Sequence, residues 1–264
     1  MDGSGIVYRK ASFVGLRNHG SINALKGYLH SDELKKKLVF QPCMTTLIAK
    51  IYPYFTDYNC KEDFIAINCA FDRQSMRSKN DNYLKSIALV AKQLSSEAKI
   101  VYFSHMESDM KMLPYLDSAG VKFELVEMKN VKQMVVEYSR PRLVIGMRGH
   151  AQMIPFGCQT PILSIVSHDK MQWFLDDISH PEWGVDVLEK DFTKKLLDKA
   201  SWLYYHYIET HEEIKRQQNY LWNITMDNMS QIKSSLFENK NTPPPTVRER
   251  MSEGNCLISL KLAA

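Results

Sequence analysis

Arg148 and His150 stand two positions apart with only Gly149 between them. An arginine offers a planar fork that grips a carboxylate or phosphate with two parallel hydrogen bonds. A histidine gives or takes a proton near neutral pH. Glycine between them lets a ligand approach the backbone closely. The apolar stretch that follows predicts a short helix, whose first free N–H groups favour an anion. Lys170 adds a point charge from a later loop, and Ser167 stands beside it. The structural alternative is that Arg148 pairs with a nearby carboxylate and His150 caps a turn.

The elements that position these groups follow from periodicity. Residues 64–69 (FIAINC), 99–103, 123–126, 143–146 and 162–166 are short apolar runs, read as buried strands. Residues 13–16 form another short apolar run. Between them lie stretches with helical spacing: 21–29, 82–95, 107–119, 131–138, 151–156 and 170–178. Gly120 and Gly157 read as helix stops. Alternation of strand and helix predicts an α/β fold, a parallel sheet covered by helices on both faces. Residues 192–237 predict one or two long helices, a helical C-terminal extension. Ligands of such sheets bind beyond the carboxyl ends of the strands. That rule selects Arg17, Asp72, Arg73, His105, Arg148, His150, Ser167 and Lys170, with Asp109 close behind His105.

Composition narrows the function classes. The chain has 264 residues, a net charge of +4 and charges of both signs interleaved, which argues against nucleic acid as a partner. Five cysteines without a CxxC pair argue against a disulfide framework and a zinc site. Cys43 and Cys158 have no histidine or aspartate partner assignable from sequence and read as packing residues. No run is long and apolar enough for a membrane helix. Trp173, beside Lys170, is the one tryptophan placed to meet a sugar.

The order R-x-H, short helix, G-x-x-x-P, apolar strand, K and aromatic resembles the second half of the polysaccharide pyruvyl transferase family. Here these are Arg148, His150, Gly157, Pro161, Ile162, Lys170 and Phe174. FVGLRNHGS (13–21), FSHMESDM (103–110), QPCMTTLI (41–48) and INCAFDR (67–73) resemble further pieces of it. The resemblance implies a Rossmann-like domain of a GT-B-like fold. It implies transfer of pyruvate from phosphoenolpyruvate to two hydroxyls of a glycan or lipid-linked sugar, forming a ketal during exopolysaccharide biosynthesis. Phosphoenolpyruvate is then the donor substrate, and neither cofactor nor metal is called for. His150 and Arg148, then His105 and Asp109, are the expected catalytic groups. Arg17, Asp72, Arg73, Ser167 and Lys170 are the expected substrate-binding groups.

The family's Gly-Asn-x-Gly-Asp-like loop has no counterpart here. The expected organisation is therefore a remnant over 1–40 that links from an absent first domain, the transferase domain over 41–237 and a linker or disordered tail over 238–264. The expected location is the cytoplasm or the inner face of the membrane, without an integral membrane segment. Two alternatives stay open: a GT-B-like glycosyltransferase that uses a nucleotide sugar, and a truncated, non-catalytic half-enzyme.

Overall fold

The computed structural model describes residues 11–53, 61–71 and 82–238. The chain divides into two compact units, 1–225 and 226–264. In the second unit the described residues, 226–238, are helical throughout.

The first unit opens with two short strands, β1 (Val14–Leu16) and β2 (Leu38–Phe40), which pair in parallel. Between them run α1 (His19–Tyr28) and α2 (Asp32–Lys36). Asn18 caps α1 by accepting a 2.7 Å hydrogen bond from the Ser21 N–H, so the helix begins two residues before its apolar pattern does. A 3-10 turn, Met44–Leu47, then runs into α3 (Ile48–Ile51).

Six parallel strands make the main sheet: β3 (Glu62–Asn68), β4 (Lys99–Ser104), β5 (Phe123–Glu127), β6 (Pro141–Gly146), β7 (Ile162–Val166) and β8 (Gly184–Asp186). Their order is β5-β4-β3-β6-β7-β8. The chain builds outward from β3 to β5, returns to lay β6 against β3 and builds outward again. The strand order therefore reverses between β3 and β6, the point at whose carboxyl ends such sheets bind ligands.

Helices α4 (Asn82–Leu94), α5 (Leu113–Ser118), α6 (Val131–Ser139), α7 (His150–Gly157), α8 (Asp169–Asp177), α9 (Phe192–Tyr205) and α10 (Tyr207–Glu238) complete the described elements. Alternate residues of β3 enter different cores. Ile65 and Ile67 join Leu84, Ile87 and Leu94 of α4, whereas Phe64 and Ala66 join Tyr138 of α6 and Ala151 and Ile154 of α7. Both faces of the sheet are thus covered, as expected for continuous apolar strands.

Three expectations needed adjustment. β5 is an edge strand with exposed positions, not a run buried on both sides. Residues 107–119 are not one helix: a 3-10 segment, Glu107–Met112, precedes α5, and Pro114 occupies the first turn, where a missing N–H costs nothing. Gly157 is not a conformational stop. A Cβ there would lie 1.9 Å from the Thr45 carbonyl oxygen, so the residue is small because the 43–47 turn lies against it. The left-handed residue after α7 is Gln159, with φ 58°. Gly120, by contrast, ends α5 with φ +67° as its type suggests.

Candidate functional site

β3 and β6 end side by side, with Asn68 opposite Gly146. Just beyond them the chain places a buried polar cluster around Asp109. Asp109, from the 3-10 segment after β4, is completely buried. Its Oδ1 accepts from Arg148 Nη2 at 2.5 Å, and its Oδ2 accepts from Arg148 Nε at 3.2 Å and from the His105 N–H at 3.0 Å. Asn68 Nδ2 donates to the Phe103 carbonyl at 2.8 Å and reaches Asp109 Oδ2 at 3.5 Å. The Tyr102 hydroxyl closes the loop by donating to the Asp109 carbonyl at 2.7 Å. A buried carboxylate is tolerated only with such a set of donors.

The geometry redistributes the roles of the expected residues. Asp109 lies 39 positions from Arg148 and holds its guanidinium as a bidentate pair, the carboxylate partner that the structural alternative required. His105 sits half-buried with Nε2 2.5 Å from the Tyr138 hydroxyl. Burial pushes its pKa down to about 4, so the imidazole is neutral at pH 7 and acts there as a hydrogen-bonding group rather than an acid.

His150 is exposed at the first position of α7. Its imidazole lies near enough to the Cys43 thiol to lower that group's pKa. Cys43 stands just before the 3-10 turn after β2, with Sγ 3.1 Å from Thr45 Oγ1. Burial pushes the Cys43 thiol up, but the nearby His150 imidazole and the bond with Thr45 outweigh it and bring its pKa down to about 7. Cys158, enclosed in the second core, is raised to about 12 by burial. Cys158 lies in the second core and Cys43 packs, partly buried, against the first, as the reading of both as packing residues requires. Gly149 has ordinary helical φ, and a Cβ there would meet nothing within 4 Å. Among the described residues nothing thus demands glycine at that point.

Arg17 is exposed after β1 and lines a narrow cavity with Cys43, Met153 and Asp177. Lys170 is exposed in the first turn of α8, where His168 Nδ1 accepts from its N–H at 3.1 Å. Ser167 is buried, its hydroxyl directed at Met171 Sδ, 3.8 Å away. Asp72 and Arg73 lie outside the described residues. The Trp173 indole occupies the space that a side chain on Gly20 would need. Among the described residues no three His, Cys, Asp or Glu side chains are grouped to hold a metal ion. A cavity of about 480 Å³ lies elsewhere, near the amino end of β8, lined by His180, Trp183, Lys199 and Trp202. It contains none of the residues singled out by sequence.

Asn68 and Tyr138 were not anticipated. A polar residue closing the apolar run FIAINC was a usable signal for Asn68. For Tyr138 there was none, because it acquires its partner only through the sheet order.

A family model described as polysaccharide pyruvyl transferase matches residues 5–169. No curated protein matches the chain. Among solved structures, a putative UDP-N-acetylglucosamine 2-epimerase from Listeria monocytogenes is 14% identical with a TM-score of 0.60, over 92% of this chain and 63% of that one. The UDP-GlcNAc 2-epimerase from Neisseria meningitidis, bound to UDP-GlcNAc, is 13% identical with a TM-score of 0.52, over 87% and 62%. WaaG, a glycosyltransferase involved in lipopolysaccharide biosynthesis, is 11% identical with a TM-score of 0.50, over 78% and 57%. At these identities the likeness carries the fold alone: Rossmann-like and GT-B-like. The chain spans 54–63% of the length of the first three structures that it matches.

Proposed function

Because the chain belongs to the polysaccharide pyruvyl transferase family, we propose that it transfers pyruvate from phosphoenolpyruvate to two hydroxyls of a glycan or lipid-linked sugar, closing a ketal and releasing phosphate. The observation that carries the proposal is the Arg148–His150 pair at the carboxyl end of β6, where the strand order reverses.

The donor carries a carboxylate and a phosphate, so the site must supply several donors and positive charge. Asp109 cancels the charge of Arg148 but holds its guanidinium rigid, which lowers the entropic cost of binding. Net positive charge then comes from the exposed Arg17 and Lys170 and from the amino end of α7. The chemistry is addition across an enol double bond. The methylene carbon takes a proton, the neighbouring carbon gains oxocarbenium character, a sugar hydroxyl attacks it and loses a proton, and phosphate departs when the second hydroxyl closes the ring. His150 is the group on the rim suited to proton transfer, and no step calls on a metal or an organic cofactor. Among the described residues no helix is long and apolar enough to cross a membrane. The proposed place of action is the cytoplasm or the inner membrane face, where sugar acceptors for exopolysaccharides are assembled.

A second reading, transfer or rearrangement of a nucleotide sugar, is favoured by the UDP-sugar enzymes among the structural neighbours. Calorimetry separates the two. Phosphoenolpyruvate is expected to bind the protein, and Arg148→Lys, which keeps the charge beside Asp109 but removes the fork, is expected to weaken binding about tenfold, the worth of one charge-assisted hydrogen bond. Binding of UDP with none of phosphoenolpyruvate would establish the second reading and remove the first.

A further inference from the structure

The cavity of about 480 Å³ near the amino end of β8 lies at the opposite end of the sheet from Arg148 and His150, and pyruvyl transfer makes no use of it. Its walls come from α9, the start of α10 and the 3-10 turn Pro181–Trp183 that leads into β8. Its size is that of a small-molecule site. Two tryptophans line it. Trp183 is buried and lies flat on His180, with ring centroids 3.9 Å apart and planes within 8°. His180 is in turn held between Glu182, at 2.6 Å, and Glu213 of α10, at 3.0 Å, so this wall is braced. Trp202 differs, for it stays 51% exposed. The His206 imidazole stacks on its indole at 4.5 Å and 9°, and His206 Nδ1 donates to the Trp202 carbonyl at 2.8 Å. The indole is thus fixed in orientation and offers a flat apolar surface to a ligand.

The polar lining selects the ligand. Glu182, Asp198, Glu209 and Glu213 bring four carboxylates to the cavity. Its cations are already engaged: Lys199 donates to the Gly184 carbonyl at 2.7 Å, and Arg216 pairs with Glu213. Asp198 and Trp202 are four positions apart on α9 and so share a face. Ionised carboxylates only accept hydrogen bonds, so the ligand must bring donors, and an anion would meet like charge. A pyranose ring has an apolar C–H face for an indole and a rim of hydroxyl donors for carboxylates.

We propose that this cavity is a second glycan site, which holds a neutral hexose ring flat on Trp202 with its hydroxyls donating to Asp198 and Glu209, and which disfavours anionic sugars. The site stands whichever reaction the carboxyl-end residues perform. Under the pyruvyl-transfer reading it also gains a direction. A pyruvyl ketal adds a carboxylate to the sugar, so the cavity holds the glycan before modification and releases it afterwards.

Calorimetry and tryptophan fluorescence on the full chain test this, with neutral tetrasaccharides of glucose, galactose and mannose as probes. At least one is expected to bind. Trp202→Ala is expected to weaken that binding about tenfold and Trp202→Phe less than about threefold, with the melting temperature little changed because the indole is half exposed. The uronic acid form of the same tetrasaccharide is expected to bind about tenfold more weakly, by a margin that narrows at high salt. Binding of none of the three, or equal affinity in Trp202→Ala, would overturn the proposal. So would loss of sugar binding in Arg148→Lys but not in Trp202→Ala, which would put the sugar at the carboxyl-end site, or tighter binding of the uronic acid form. None of these outcomes touches the pyruvyl-transfer reading, which is tested with phosphoenolpyruvate.

Discussion

The main sheet carries an arginine–carboxylate pair at each end. Beyond the carboxyl ends, Arg148 forks onto Asp109, with side chains 14% and 0% exposed. At the amino ends, Arg140 forks onto Glu62, with side chains 38% and 51% exposed. Residue types and geometry are nearly the same, yet the surroundings differ. Glu62 faces water, and Arg140 also meets Glu137 and lies over the Phe64 ring. Asp109 has no water to fall back on and depends on Asn68, the His105 N–H and Arg148 for its charge. An ion pair in water is worth little, whereas half of a buried pair left behind is costly. The carboxyl-end pair is therefore the one whose removal reorganises its neighbourhood, and it stands where the family's chemistry is expected.

Matched isosteric substitutions measure that contrast. Asp109→Asn keeps size and removes charge, leaving Arg148 beside a neutral amide. With Arg148 partly open to solvent, it is expected to destabilise the fold by about 2–4 kcal/mol, read as a lowered urea midpoint. A loss below 1 kcal/mol, roughly that of an exposed pair, would mean that Arg148 is solvated by another route.

Next in size is a pH effect at His105. Its folded pKa is about 4, below the ordinary histidine value, so the unfolded chain binds the proton more readily. Its contribution to stability is present above pH 6.5 and is lost as pH falls toward 4. Between pH 7 and pH 5 the unmodified protein is expected to lose about 2 kcal/mol more than His105→Gln. Equal losses in the two proteins would show that the imidazole is open to solvent in the folded state.

The smallest effect belongs to the amino-end pair. Glu62→Gln is expected to change stability by less than about 1 kcal/mol, and less still at high salt. A loss matching that of Asp109→Asn would erase the difference between the two ends.

Much of this layout was readable along the chain, for local reasons. Apolar runs such as FIAINC and the helical spacing of Leu84, Ile87, Ala91 and Leu94 report burial directly, because period reflects which face meets a core. The strand-end rule then put His105, Arg148 and His150 on one rim. Less was readable at the edges. The short strands β2 and β8 carry three residues each, too few for a period. The partners within the site were hidden for a different reason. Asp109 reads as an ordinary acid in the first turn of a helix until β4 is known to lie beside β3.

By itself the sequence determined the alternation of strand and helix, the family and the placing of Arg148 and His150 at a strand end, since each depends on residues close together in the chain. The tertiary structure alone decided that β6 lies against β3, that Asp109 neutralises Arg148 and that His105 is uncharged. Those properties belong to neighbours brought together by the strand order, and burial and charge state follow from neighbours rather than from residue type.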